Sequence, residues 1–220
     1  MNLPNKLTVL RVILIPFFVF FILENFWLVQ YKAYIALAIF IIASLTDFLD
    51  GAIARKKGLV TNFGKFMDPL ADKLLVISAL MCLLIVDGGE RMCVSQILGL
   101  IAVLVIVARE FIISGFRRVA SDAGIVIAAS MWGKFKTATT MIAICLMIVV
   151  KELPFLKDVT MVLFWVAVTL TIVSLVDYIV KNISVLSDAF TKKKAPEAAP
   201  VAAPVNVEEK TDNFGQNENV

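Results

Sequence analysis

Apolar residues along the chain gather into long, nearly unbroken runs, at residues 7–27, 34–46, 70–86, 92–116, 131–150 and 153–180. A helix needs about 20 predominantly apolar residues, with a range of roughly 17–25, to cross the hydrocarbon core of a bilayer. The second run is short on its own and reaches spanning length if its helix continues through Asp47, Asp50 and Gly51 to about Ala54. The pattern therefore predicts an all-α, polytopic membrane protein with six transmembrane helices, forming one domain over residues 1–190. The opening run is too long for the apolar region of a secretory signal and lacks a small-residue cleavage site, so it is expected to remain as a membrane helix. Beyond Thr191 the chain turns abruptly to Lys192-Lys193-Lys194 and then to Ala, Pro, Glu and Asn. Such a segment cannot bury enough apolar surface to order itself, and residues 191–220 are expected to form a disordered cytosolic tail whose lysines are a stop-transfer flank or, alternatively, a contact for anionic lipid.

Composition narrows the chemistry. Of 220 residues 60% are hydrophobic and 18% charged, against about 45–50% and about 25% in soluble domains, and the mean hydropathy is +0.90. A soluble enzyme is excluded. The chain has no His, which removes Ser-His-Asp and Cys-His nucleophile systems and HExxH zinc sites. Cys82, Cys93 and Cys145 lack metal-ligand spacing and read as reduced packing residues. The net charge of +3 is too small to point to nucleic acid, and its distribution says more. With the N-terminus cytoplasmic, seventeen of the 21 Lys and Arg residues fall on the inner side, and only Lys32, Arg91, Lys151 and Lys157 lie outside. By the positive-inside rule both termini are expected on the cytoplasmic side, and the membrane is expected to be the cell (inner or plasma) membrane. The outer connections are too short to house a site, so function belongs to the cytoplasmic face or to the space between helices.

Between the second and third runs the sequence SLTDFLDGAIARKKGLVTNFGKFMDPLADKLL places Asp47, Asp50, Asp68 and Asp72 beside or within hydrophobic helices. Spacings of three and four put each pair on one helix face, and a short connection lets the two faces meet as an antiparallel hairpin. Four bare carboxylates at a membrane boundary would repel one another and suffer desolvation. Divalent cations remove that cost, and an all-oxygen donor set without His or Cys selects Mg2+ or Mn2+, with four acids suited to two ions. Taken singly, Asp68 before Pro69 also resembles a helix N-cap followed by an N1 proline. Gly51 and Gly64 leave room for a ligand to approach the backbone, and Arg55 is placed to meet a phosphate. Metals and an arginine beside lipid suit phosphoryl transfer, which is catalysed mainly by positioning and charge neutralisation.

The residues Asp47-x2-Asp50-Gly51-x2-Ala54-Arg55-x8-Gly64-x3-Asp68-x3-Asp72 match, without a gap or substitution, the signature of the CDP-alcohol phosphatidyltransferase family. The resemblance implies six transmembrane helices, a cytoplasm-facing polar cavity, two divalent metals, and release of CMP from a CDP-linked lipid or alcohol. It makes Asp47, Asp50, Asp68 and Asp72 the metal ligands and Asp72 also the general base. It makes Asp50, Gly51, Ala54 and Gly64 the cytidine-side wall and Arg55 a diphosphate contact. Two further stretches, Asn2 to Arg11 and Ala108 to Thr137, resemble the phosphatidylglycerophosphate synthase branch of bacteria, and the N-terminal one places Thr8 and Arg11 at the nucleotide entrance. The resemblance covers about residues 1–180.

A second cluster has its own physical reading. Arg109 closes the fourth run beside Glu110, Arg117 and Arg118 follow two turns later, and Lys134 and Lys136 open the fifth. Five cations around one pocket suit a small anion such as sn-glycerol 3-phosphate. The combined expectation is transfer of the phosphatidyl group from CDP-diacylglycerol to sn-glycerol 3-phosphate, with membrane lipid as surroundings and no nucleic-acid partner. Resemblance adds the expectation of a homodimer. Two alternatives stand beside this reading: the same chemistry with inositol phosphate, serine or phosphatidylglycerol as acceptor, and a divalent-cation transporter, because membrane carboxylates also line ion pathways.

Overall fold

In hydrocarbon a backbone N–H or C=O has no water to bond, so long apolar runs close their hydrogen bonds internally as helices. The computed structural model describes residues 3–23, 31–57, 62–122 and 130–191, with side chains described for 5–23, 31–47, 67, 69–121 and 130–183. Six helices account for nearly all of it: α1 Leu3–Leu23, α2 Lys32–Lys57, α3 Asn62–Ile85, α4 Gln96–Asp122, α5 Met131–Val149 and α6 Lys157–Thr191. Short 3-10 turns, Val86–Met92 and Pro154–Leu156, precede α4 and α6. There is no strand among the described residues. Five spans are long and apolar enough to cross a membrane: Asn5–Leu23, Pro69–Met92, Gln96–Ser121, Met131–Val149 and Pro154–Ile183. The protein is an all-α polytopic membrane protein. The expected sixth span, on α2, runs past Asp47, where its described side chains end.

Several boundaries differ from the sequence reading. α1 ends at Leu23, and residues 24–27 of the expected first span lie outside the described residues. α3 begins at Asn62, well before the apolar run, and Pro69 lies inside it. Asp68 is therefore not an N-cap. A helix carried into an apolar medium satisfies far more backbone groups than the single bond that a proline removes. α6 has 35 residues, about 52 Å at about 1.5 Å per residue, against a hydrocarbon core of about 30 Å. Thr191, expected to open the tail, belongs to this helix, and residues 192–220 lie outside the described residues.

α1 packs on α2 and α3, α6 packs on α5 and α4, and α2 meets α5. Each helix buries one stripe, and on α1, α4, α5 and α6 most of its polar members lie toward one end of the bundle. On α1 the buried positions are Asn5, Thr8, Arg11, Ile15, Phe18 and Ile22, polar for two turns and apolar thereafter. α5 begins its stripe with Lys136 and Thr140 and continues with Ala143, Ile144 and Met147. α4 and α6 run the other way, with Arg109 following Ile106 before the stripe goes on to Ile113, and with Thr171, Ser174 and Tyr178 following Phe164. The antiparallel packing thus collects the polar portions at one end of the bundle. Phe18, Phe40, Leu80, Ile144 and Phe164 fill the remainder as an apolar core.

The opposite end is closed by an ionic clasp. After α3 the chain turns through Asp87, Gly88 and Gly89 with φ of 51°, 67° and 84°. At Gly89 an added Cβ would stand 3.0 Å from the Leu84 carbonyl, so the turn excludes a side chain there. Arg91 follows, 2% exposed. Its Nε donates to Asp87 Oδ2 at 2.8 Å, its Nη2 to Glu152 Oε1 at 2.9 Å, and its Nη1 to the Ile148 carbonyl at the end of α5. Sequence analysis places Arg91 in a short outer connection, whereas the fold buries it between two helix ends.

Candidate active site

The aspartate motif occupies two consecutive helices. Positions 47, 50, 51, 54 and 55 lie on α2, and 64, 68 and 72 on α3. Helical backbone on both sides keeps each pair of aspartates on one face, as the spacing predicts. The side-chain surroundings of Asp50, Gly51, Ala54, Arg55, Gly64 and Asp68 lie outside the described residues. Asp47 and Asp72 are described, and both are half-buried.

α1 supplies the third wall of this corner. Arg11 is fully buried, and its Nη1 stands 2.8 Å from Asp47 Oδ1. Thr8 is also fully buried, one turn earlier on the same stripe. Asp47, Arg11, Lys73 and Glu110 all act electrostatically on Asp72, so one carboxylate from each half of the motif shares a local field with a buried guanidinium. No hydrogen bond or ion pair holds the Asp72 carboxylate among the described residues. No three metal-ligating side chains meet among the described residues either, since two of the four aspartates lie outside them. The donors that are described, hard oxygens with one carboxylate unengaged, fit a divalent cation.

Asp72 and the basic cluster open onto one space. A cavity of about 720 Å³ is lined by Asp72 and Lys73 from α3, Arg109, Glu110, Ser114 and Arg117 from α4, Ser130 preceding α5, and Lys134 and Thr137 on it. A smaller hollow next to it shares Asp72, Lys73, Glu110 and Thr137 and adds Lys136 and Thr140. Four cations, Lys73, Arg109, Arg117 and Lys134, face two carboxylates, Asp72 and Glu110, on the larger lining. Among the described residues of the lining positive charge is in excess, which suits an anion. Arg118 does not line the cavity, because adjacent helix positions are turned about 100° apart and Arg117 takes the inward direction.

The cations of this cluster are held in a network. Arg109 is 7% and Lys136 3% exposed. Arg109 Nη1 donates to Glu110 Oε1 at 3.0 Å, and Lys136 Nζ donates to the same oxygen. Arg109 Nη2 donates to Ser174 Oγ on α6. Lys73 Nζ donates to Ser114 Oγ, which in turn donates to the Glu110 carbonyl at 2.6 Å. Arg117 lies 5.7 Å from the Tyr178 ring centroid, within cation–π range. At the mouth, Ser130 Oγ donates to Asp177 Oδ2 at 2.9 Å, and Lys181 pairs with that carboxylate at 2.6 Å. Lys134 is exposed.

Sequence reasoning sets Arg109 beside Glu110 and leaves Lys73, Ser114 and Ser174 out of the site. Lys73 had a usable signal: it adjoins Asp72 on a helix that is apolar beyond it, where a charge is costly without a task or a partner. Ser114 and Ser174 carried none, because a serine in a membrane helix satisfies itself on its own backbone as easily as it serves a neighbour.

Comparison with known proteins agrees with this geometry. The family model for CDP-alcohol phosphatidyltransferase matches residues 1–173. A relative from Bacillus subtilis (strain 168), named CDP-diacylglycerol--glycerol-3-phosphate 3-phosphatidyltransferase, is 43% identical over 82% of this chain and 95% of its own length. Relatives of the same name from Haemophilus influenzae and Shigella flexneri serotype 5b are 38% and 36% identical, each over 81% of this chain and over 91% and 93% of their own lengths. With the aspartate motif on two adjoining helices, the basic cavity beside it and this similarity over most of its length, the chain belongs to the CDP-alcohol phosphatidyltransferase family.

Proposed function

We propose that the protein transfers the phosphatidyl group from CDP-diacylglycerol to sn-glycerol 3-phosphate, giving phosphatidylglycerophosphate and CMP. The observation that carries the reading is the shared cavity, in which Asp72 of the donor motif and the cations of α4 and α5 line one wall. The relatives' printed names point to the same pair of substrates. α2 is the sixth span, residues 1–190 form the catalytic domain, and the cavity and both termini face the cytoplasm, where the excess of Lys and Arg lies.

The family generally uses divalent metal ions. In this chain Asp47, Asp50, Asp68 and Asp72 would hold two such ions, Mg2+ or Mn2+, whose charge when bound offsets that of the donor diphosphate. Arg55 binds the diphosphate, and Asp50, Gly51, Ala54 and Gly64 wall the cytidine side. Thr8 shapes the nucleotide entrance. On the acceptor side Arg109 and Lys136 bind the phosphate from inside, with Arg117 and Lys134 nearer the mouth and Arg118 adding long-range attraction. Thus held, the acceptor presents its 1-hydroxyl to Asp72. Asp72 takes the hydroxyl proton as the oxygen attacks the β-phosphorus in line; the new P–O bond forms as the bond to CMP breaks, and CMP leaves with its electron pair. The acyl chains stay in the bilayer throughout.

The test is purified protein assayed with labelled CDP-diacylglycerol and each acceptor in turn. CMP release that depends on sn-glycerol 3-phosphate is expected. Release with inositol phosphate, serine or phosphatidylglycerol instead would overturn the acceptor, and metal flux into proteoliposomes without CMP production would overturn the enzyme reading.

A further inference from the structure

Glu110 occupies an unusual position in the basic cluster. A single carboxylate oxygen, Oε1, receives both Arg109 Nη1 and Lys136 Nζ. Both of those cations are buried, while Glu110 lines both the main cavity and the hollow beside it. The neutralisation is incomplete. Two buried cations share one acidic side chain, Lys73 stands close enough to feel it, and Arg109 Nε has no hydrogen-bond acceptor among the described residues. A buried guanidinium with an idle N–H, next to an open cavity, is arranged for an anion with more oxygens than a carboxylate offers.

We propose that Glu110 is a built-in stand-in for the acceptor phosphate. In the empty enzyme it keeps Arg109 and Lys136 paired and in place, and an incoming phosphate takes over both cations and displaces the carboxylate. Glu110 is thus a specificity-determining residue. An acceptor without a strong anion cannot compete with it, whereas a phosphate dianion gains both cations and the idle Arg109 N–H. The stand-in also explains how two cations are tolerated at membrane depth before substrate arrives, because an uncompensated buried charge is strongly destabilising. This inference rests on the reading that the cavity takes a phosphorylated acceptor.

The test uses inorganic phosphate as the probe, on the full-length protein in detergent, so that it does not depend on turnover. Glu110→Gln should bind phosphate at least about tenfold more tightly than wild type, equivalent to about 1.4 kcal/mol. Its melting temperature should lie below that of wild type in phosphate-free buffer and rise more steeply as phosphate is added. In turnover the apparent KM for sn-glycerol 3-phosphate should fall by a similar factor. A residue that merely braces Arg109 and Lys136 would behave in the opposite way: phosphate affinity would drop on substitution and added phosphate would not restore stability. Either result overturns the proposal. Glu110→Asp supplies a second reading, since its shorter side chain keeps the charge but retreats from the two cations; it too should bind phosphate more tightly, and affinity equal to or below wild type counts against the stand-in. Wild-type protein that releases no CMP with sn-glycerol 3-phosphate, while Glu110→Gln still binds phosphate more tightly, would refute the assigned acceptor and leave the stand-in intact.

Discussion

At the residue scale the proposed roles separate a carboxylate that does chemistry from cations that hold a substrate. Asp72 is half-buried and unengaged among the described residues, as the proposed role of general base requires. Asp72→Asn should lower kcat by about 10²–10⁴-fold, the range for loss of a general base, while CDP-diacylglycerol binding and the melting temperature stay close to wild type; CMP release under saturating substrates measures this. Lys136 lines the smaller hollow that Asp72 shares, and it donates to Glu110. Lys136→Met keeps its volume and removes its charge, and should raise the KM for sn-glycerol 3-phosphate by about 10–100-fold, corresponding to about 1.5–3 kcal/mol for a charge-assisted hydrogen bond. The KM for CDP-diacylglycerol should hardly change, which separates an acceptor-side residue from a general loss of structure.

At the element scale, helix ends carry what the apolar middles cannot. The turn after α3 and the end of α5 are joined through Arg91, bonded to Asp87, Glu152 and the Ile148 carbonyl. This clasp stands at the end of the bundle opposite the cavity. Arg91→Met leaves two acidic partners and a buried carbonyl without their donor, a loss of about 3–5 kcal/mol for breaking such a pair, visible as a lower melting temperature in detergent. The KM values of the surviving folded fraction should be those of wild type. α3 teaches a related lesson about sequence signals. Asp68-Pro69 has the chemistry of a helix start, yet the helix runs through it from Asn62, because local capping preference is worth about 1 kcal/mol and an apolar surrounding rewards continuous backbone bonding more strongly.

At the scale of the whole molecule, the arrangement has a direction. The polar portions of α1, α4, α5 and α6 gather at one end, with Lys181 beyond them on α6, and Lys151 stands at the other. Single cysteines introduced on a cysteine-free background report that direction in intact cells: Lys151→Cys should react with a membrane-impermeant thiol reagent from outside, and Lys181→Cys only after permeabilisation. The reverse pattern would invert the proposed topology. Much of this was readable from the chain alone. Helical class, the approximate spans and the placing of the aspartate motif on two consecutive helices follow from local composition and spacing, because a lipid solvent enforces helices and a helix converts spacing into a shared face. Tertiary packing alone decided that Lys73 rather than Arg118 faces the cavity, that Arg91 is buried as a clasp, and that Glu110 holds Arg109 and Lys136 on one oxygen. Those facts depend on which helices become neighbours and how each is rotated about its axis, and spacing within a single segment carries no information about either.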